Sequence, residues 1–152
     1  MSSKKFVSLA VLMLSLLLVA CGGGETVEEA PASSGASIDV VMNDIYYGDS
    51  PTNAEEPPVW TVPAGAQVSV NMDNNGGLEH NWAIVRADAT VPEFYDDAEN
   101  RDIILTDTGI VDPNSTFSAA IVAPEEAGEY TIICTVAGHY PSMQGRLVVT
   151  EQ

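Results

Sequence analysis

The chain has 152 residues, five Lys and Arg against 22 Asp and Glu, and a formal net charge of −17. At 45% hydrophobic and 18% charged residues it has the composition of one folded domain, with too little chain for two. Phosphate recognition needs clustered Lys and Arg, so nucleic acid is excluded as a partner.

Residues 1–20 read as an export address. Met1-Ser-Ser-Lys4-Lys5 is a short basic start, and Phe6 to Ala20 is an uncharged apolar run too short to cross a bilayer comfortably. It ends Val19-Ala20-Cys21-Gly22, which resembles the bacterial lipobox, where the cysteine becomes the acylated first residue of the mature protein. The plainer alternative is an ordinary secretory signal with Cys21 near the cut. Once Lys4 and Lys5 leave with the signal, three arginines stand against 22 carboxylates, a net charge of −19. Such a surface either steers a cationic redox partner or only maintains solubility, and the residues do not separate the two.

Residues 21–36 form a tether of Gly, Ser, Pro and acidic residues with almost no large apolar side chain. Disorder is expected there, with an r.m.s. reach of roughly 20 Å. The domain is expected over 37–152. Its strand candidates are Ile38–Met42, Val59–Val62 before the turn Pro63-Ala-Gly65, the alternating Gln67–Met72, Trp82–Val85, Thr116–Val122, Glu129–Cys134 and Arg146–Thr150. Short strands punctuated by Gly, Pro and Asn predict an all-β antiparallel sandwich. Two stretches depart from the pattern. Asp44 to Pro58 reads as an irregular insertion, and Ala89 to Asp102 as a short helix or flap. Both are expected to be surface excursions without metal ligands. Met42, Met72, Trp60 and Trp82 are read as packing residues.

The chemistry concentrates near the C-terminus, in Cys134-Thr-Val-Ala-Gly-His139-Tyr-Pro-Ser-Met143. His80, in Leu78-Glu-His-Asn-Trp82, is the one other histidine. With Cys21 lipidated, Cys134 has no disulfide partner, and a lone thiol outside the cytoplasm calls for an occupant. Two His, one Cys and one Met are the donors of a trigonal copper site with a weak axial thioether, the kind used for electron transfer. Each alone has a bland reading: Cys134, His80 and Met143 are ordinary core residues in many folds. Their joint spacing argues otherwise. Cys134 closes a strand, Gly138 permits a tight backbone before His139, and Pro141 restricts the return to Met143. His80, 54 residues before Cys134, is expected to arrive on a neighbouring strand of the folded sandwich.

The segment Gly128 to Gly145, together with His80-Asn-Trp82, resembles the type 1 copper proteins, the cupredoxins. The Cys-x4-His-x3-Met spacing and the His-Asn-Trp triplet look most like azurins. The lipoprotein start and tether are more similar to auracyanins. The resemblance covers roughly Ser37 to Gln152 and implies a Greek-key β-sandwich of about eight strands with one copper ion at one end. It further implies that Asn81 hydrogen-bonds the ligand loop near Thr135, and that Tyr140 and Pro141 lie in the apolar patch serving as electron port. Azurins carry a glycine before the first histidine, with its carbonyl near the metal; Glu79 stands there in this chain, and a carboxylate facing the copper lowers its potential.

The expected protein is therefore a mononuclear electron carrier cycling Cu(I)/Cu(II), a monomer, and not an enzyme. It is expected to be lipid-anchored at Cys21 on the extracytoplasmic face, serving redox proteins of a respiratory or photosynthetic chain. A copper carrier or chaperone is the alternative. Copper enzymes need further histidines that the chain lacks, and a dinuclear electron-transfer centre needs a second cysteine where Gly138 stands.

Overall fold

The computed structural model describes residues 35–51 and 55–152. The expected signal segment, the lipidation site Cys21 and all of the tether except Gly35 and Ala36 lie outside the described residues. Within them the chain folds into nine strands in two sheets, with one short helix. The strands are β1 (Ala36–Asn43), β2 (Tyr46–Tyr47), β3 (Val59–Pro63), β4 (Gln67–Asn74), β5 (Ala83–Val85), β6 (Ile104–Asp107), β7 (Ser115–Val122), β8 (Gly128–Ile133) and β9 (Gln144–Thr150).

One sheet runs in the order β2-β1-β4-β7 and the other β3-β9-β8-β5-β6. In β4, Val68, Val70, Met72 and Asn74 are buried while Gln67, Ser69 and Asp73 are exposed, so the alternating pattern puts its apolar set inward. The main core lies between the sheets and includes Met42, Met72, Trp82, Ile132 and Leu147. Trp60 is only partly buried and stacks edge-on against Trp82 at 5.8 Å.

The sandwich is not purely antiparallel. β1 pairs parallel with β4, and β3 with β9. Between the two strands of each pair the chain visits the opposite sheet, and that crossover permits a parallel neighbour where a hairpin does not. Two strands depart from the sequence-based expectation. β6 pairs with β5 at the edge of the second sheet, and β2 is a two-residue pairing with β1 inside the stretch read as irregular.

That stretch is also more than a surface excursion, because Tyr47 is fully buried in the main core. The second departure holds the helix α1 (Asp97–Asn100) and a 3-10 turn at Arg101–Ile103. Here too an aromatic residue anchors the segment. Tyr95 packs with Val85 and Ile133 into a separate small core, flanked by Val91, Ile103, Ile104 and Tyr140. This cover explains why all three residues of β5 are buried although the strand lies next to an edge.

Candidate metal centre

Cys134 follows directly after β8, and the chain then makes a compact loop before β9. His139 N–H donates to Val136 O at 3.1 Å, and Met143 N–H to His139 O at 2.8 Å. Cys134 N–H donates to Met143 O at 3.1 Å and so closes the loop at its base. Gly138 has φ +81°, the left-handed conformation a glycine adopts without penalty. His80 is not on a strand. It lies between β4 and β5, where its N–H and C=O bridge to Val111 at 3.2 and 2.7 Å.

These segments bring three donors together. His80 Nδ1 lies 3.1 Å from His139 Nδ1. Cys134 Sγ is 3.5 Å from His139 Nδ1 and 4.0 Å from His80 Nδ1. A first-row ion bonded at about 2.0 Å to imidazole and about 2.3 Å to thiolate, in one plane, holds its donors roughly 3.5–3.8 Å apart. The observed triangle fits such an ion. It is the group of metal-ligating side chains that converges among the described residues, and all three are buried, His80 and Cys134 wholly so. Met143 is buried too and shares the main core with Cys134. The donor set, two imidazoles and two sulfurs, suits copper and excludes hard ions such as Mg²⁺ or Ca²⁺.

Burial sets the protonation states. It pushes the Cys134 thiol up to about 11, although the N–H groups of Asn81 and Val136 aimed at the sulfur pull the other way. Burial also lowers both histidines from their ordinary value, so both imidazoles are neutral at pH 7 and able to donate a lone pair. Metal uptake must displace the thiol proton.

Asn81 ties the two ligand segments together. Its Nδ2 donates to Thr135 Oγ1 at 2.8 Å and to Asp107 Oδ1 at 2.9 Å, and its Oδ1 accepts from Thr135 N–H at 2.7 Å. The Tyr47 hydroxyl donates to the Asn81 carbonyl. Asp107 is held in turn by Arg101 at 2.7 Å. Glu79 is exposed; its charge adds weakly to the upward push that burial gives Cys134 and offsets part of the lowering that burial gives His139. Pro141 is exposed, whereas Tyr140 is half-buried against the small core.

One group at the site carries no signal in the sequence pattern. Asp44, in the turn between β1 and β2, places Oδ1 3.7 Å from His80 Nε2. It lies in the stretch read as offering no metal-ligand pattern, yet its carboxylate faces the far nitrogen of a candidate ligand. No periodicity or spacing connects Asp44 to a histidine 36 residues away; the one hint is its place just after an apolar strand.

A family profile described as the sulfocyanin (SoxE) domain matches residues 52–152. Auracyanin-A from Chloroflexus aurantiacus is 32% identical over 93% of this chain and 94% of its own length. Sulfocyanin from Sulfolobus acidocaldarius is 30% identical over 53% of this chain and 44% of its own length. Among solved structures, auracyanin A from C. aurantiacus, described as a "blue" copper protein, superposes with a TM-score of 0.56 at 27% identity, covering 76% of this chain and 99% of the other.

Proposed function

The chain belongs to the sulfocyanin (SoxE) domain family within the blue copper cupredoxins and is a type 1 copper electron-transfer protein; from that premise we propose that His80, Cys134 and His139 would hold one copper ion, with Met143 as a further, weak sulfur donor. The observation that carries this assignment is the convergence of three buried donor atoms within 4.8 Å of one another. Bound there, copper supplies one-electron chemistry by alternating between Cu(I) and Cu(II), which soft sulfur and imidazole together support.

The protein's part is to keep the donors still. Asn81 pins the loop that carries three of the four proposed ligands to the segment that carries His80, in the way outer partners orient ligands generally. The core around Cys134 and Met143 excludes water and resists rearrangement. A carrier that hands over its ion needs accessible donors; full burial of His80, Cys134 and Met143 favours retention instead. The chain's two histidines are both taken up by this site, which favours a carrier of electrons over an enzyme.

His139, at 6% exposure against 0% for the other three donors, is the exit for the electron. Pro141 is exposed two residues beyond it. Leu78 and Ile110 are also exposed, at 47% and 49%; Leu78 lies two residues before His80, and Ile110 beside Val111. They supply apolar contact area for a redox partner, the half-buried edge of Tyr140 included. A tether at residues 21–36 with a lipid on Cys21 keeps the domain at the extracytoplasmic membrane face. There it serves redox proteins of a respiratory or photosynthetic chain.

Optical and EPR spectra of the copper-loaded chain test the assignment. The oxidised protein should be intensely blue through thiolate-to-copper charge transfer, with a narrow copper hyperfine splitting. Cys134→Ser should abolish the colour. A colourless loaded protein, or a blue Cys134→Ser variant, refutes the ligand assignment.

A further inference from the structure

His80 turns Nδ1 toward Cys134 and His139. For Nδ1 to be free to hold an ion the proton must sit on Nε2, and Nε2 is buried without a hydrogen-bond partner. A buried polar atom left that way demands an explanation. The nearest ionised group is Asp44, whose Oδ1 lies 3.7 Å away, beyond a hydrogen bond by about 0.7 Å. We propose that Asp44 is a positioning residue for the metal centre: its carboxylate accepts the hydrogen bond of His80 Nε2–H, keeps Nδ1 free for the ion, and by its negative charge favours the oxidised state.

Asp44 is built into place. Its Oδ1 accepts the Leu78 N–H at 3.0 Å, two residues from His80 itself. A side chain on Gly76 would overlap Oδ1, so glycine is required for the carboxylate to reach this position. The next residue, Ile45, has φ +58°, a conformation β-branched residues rarely adopt, and the turn that presents Asp44 holds it there. A carboxylate on the far nitrogen of a ligating imidazole fixes its tautomer and raises its basicity. The Asp44 side chain is half-exposed. The copper-dependent part of this inference rests on the ligand assignment above; the tautomer part does not.

The test uses the full chain with Asp44→Asn, Asp44→Ala and Asp44→Glu. In the copper-free protein at neutral pH, long-range ¹⁵N NMR reads the His80 tautomer. Wild type should be in the Nε2–H form, and the Asn and Ala variants should shift toward Nδ1–H. In the copper-loaded protein, both should shift the Cu(II)/Cu(I) equilibrium toward Cu(I) by about tenfold, a rise of about 59 mV for one electron, with Glu restoring part of it. An unaltered tautomer and potential in whichever of the Asn and Ala variants folds overturns the proposal, as does a change in melting temperature alone. Should wild type fail to bind copper, the ligand assignment falls, and the NMR arm still decides the role of Asp44.

Discussion

Asn81→Ala is the sharpest test of how the two halves of the centre are joined. The side chain is 1% exposed, so water does not replace what it loses. Two of its hydrogen bonds are neutral, to Thr135 Oγ1 and from Thr135 N–H, and the third goes to the Asp107 carboxylate. Truncation removes all three and leaves the Thr135 N–H buried and unpaired. About 1 kcal/mol for the bond to Thr135 Oγ1, about 1.5 for the charged one and, in place of the second neutral bond, about 1.5 for the stranded donor give about 4 kcal/mol in total. That is a large share of the roughly 5–15 kcal/mol that holds a domain folded. At roughly 3.5 °C per kcal/mol for a domain of this size, the copper-free melting temperature should fall by about 14 °C. Thr135→Val loses the hydroxyl contact, strands one Asn81 Nδ2–H and should cost about 1–3 kcal/mol. The double variant should cost less than the sum of the two single ones, since both remove the same bond. Thermal denaturation followed by circular dichroism reads all three variants. A melting temperature for Asn81→Ala within about 2 °C of wild type would show that the ligand segments are held together by something other than this amide.

Met143→Leu should leave a coloured copper protein with a raised reduction potential, because a donor to Cu(II) is lost; voltammetry giving an unchanged potential would show that Met143 is not axial. Copper-free stability should depend on pH in a predictable direction. Both histidines have folded values below their unfolded 6.5, so the unfolded chain binds the extra protons, and the stability present above pH 6.5 is lost on acidification, at up to about 2.7 kcal/mol per pH unit for two groups. Cys134, raised from 9.0 to about 11, has the opposite sign: its contribution holds below pH 9 and is lost as pH rises through 11. A denaturation midpoint that stays flat between pH 7 and 5.5 would contradict the histidine part. Copper at a hundred times its dissociation constant should stabilise the fold by about 2.7 kcal/mol, and a chelator should reverse the gain; identical melting curves with and without the metal would refute selective binding to the native state.

Much of the sheet and half of the metal centre are legible in the amino-acid sequence. Alternation in Gln67–Met72 and the apolar runs at Val59, Trp82 and Glu129 mark real strands, because a strand with one buried face must repeat every two residues. The loop from Cys134 to Met143 is legible for a related reason. Its three chemistry-bearing residues lie within ten positions, and Gly138 and Pro141 restrict the path between them. The Asn81–Thr135 contact comes with the family resemblance rather than with any local pattern. β6 is not legible, since Ile104–Asp107 is short and mostly half-buried, and neither is the cover that Tyr95 places over β5.

By itself the amino-acid sequence determined the donor chemistry, the strand periodicity and the surplus of negative charge, all properties of residue identity and near neighbours. Only the tertiary structure decided that each sheet contains a parallel pair, that His80 sits on a bridge to Val111 rather than on a strand, and that Asp44 stands behind its imidazole. Those relations join residues 31 to 87 positions apart, and such contacts depend on how sheets stack and chains cross over, which no short-range pattern encodes.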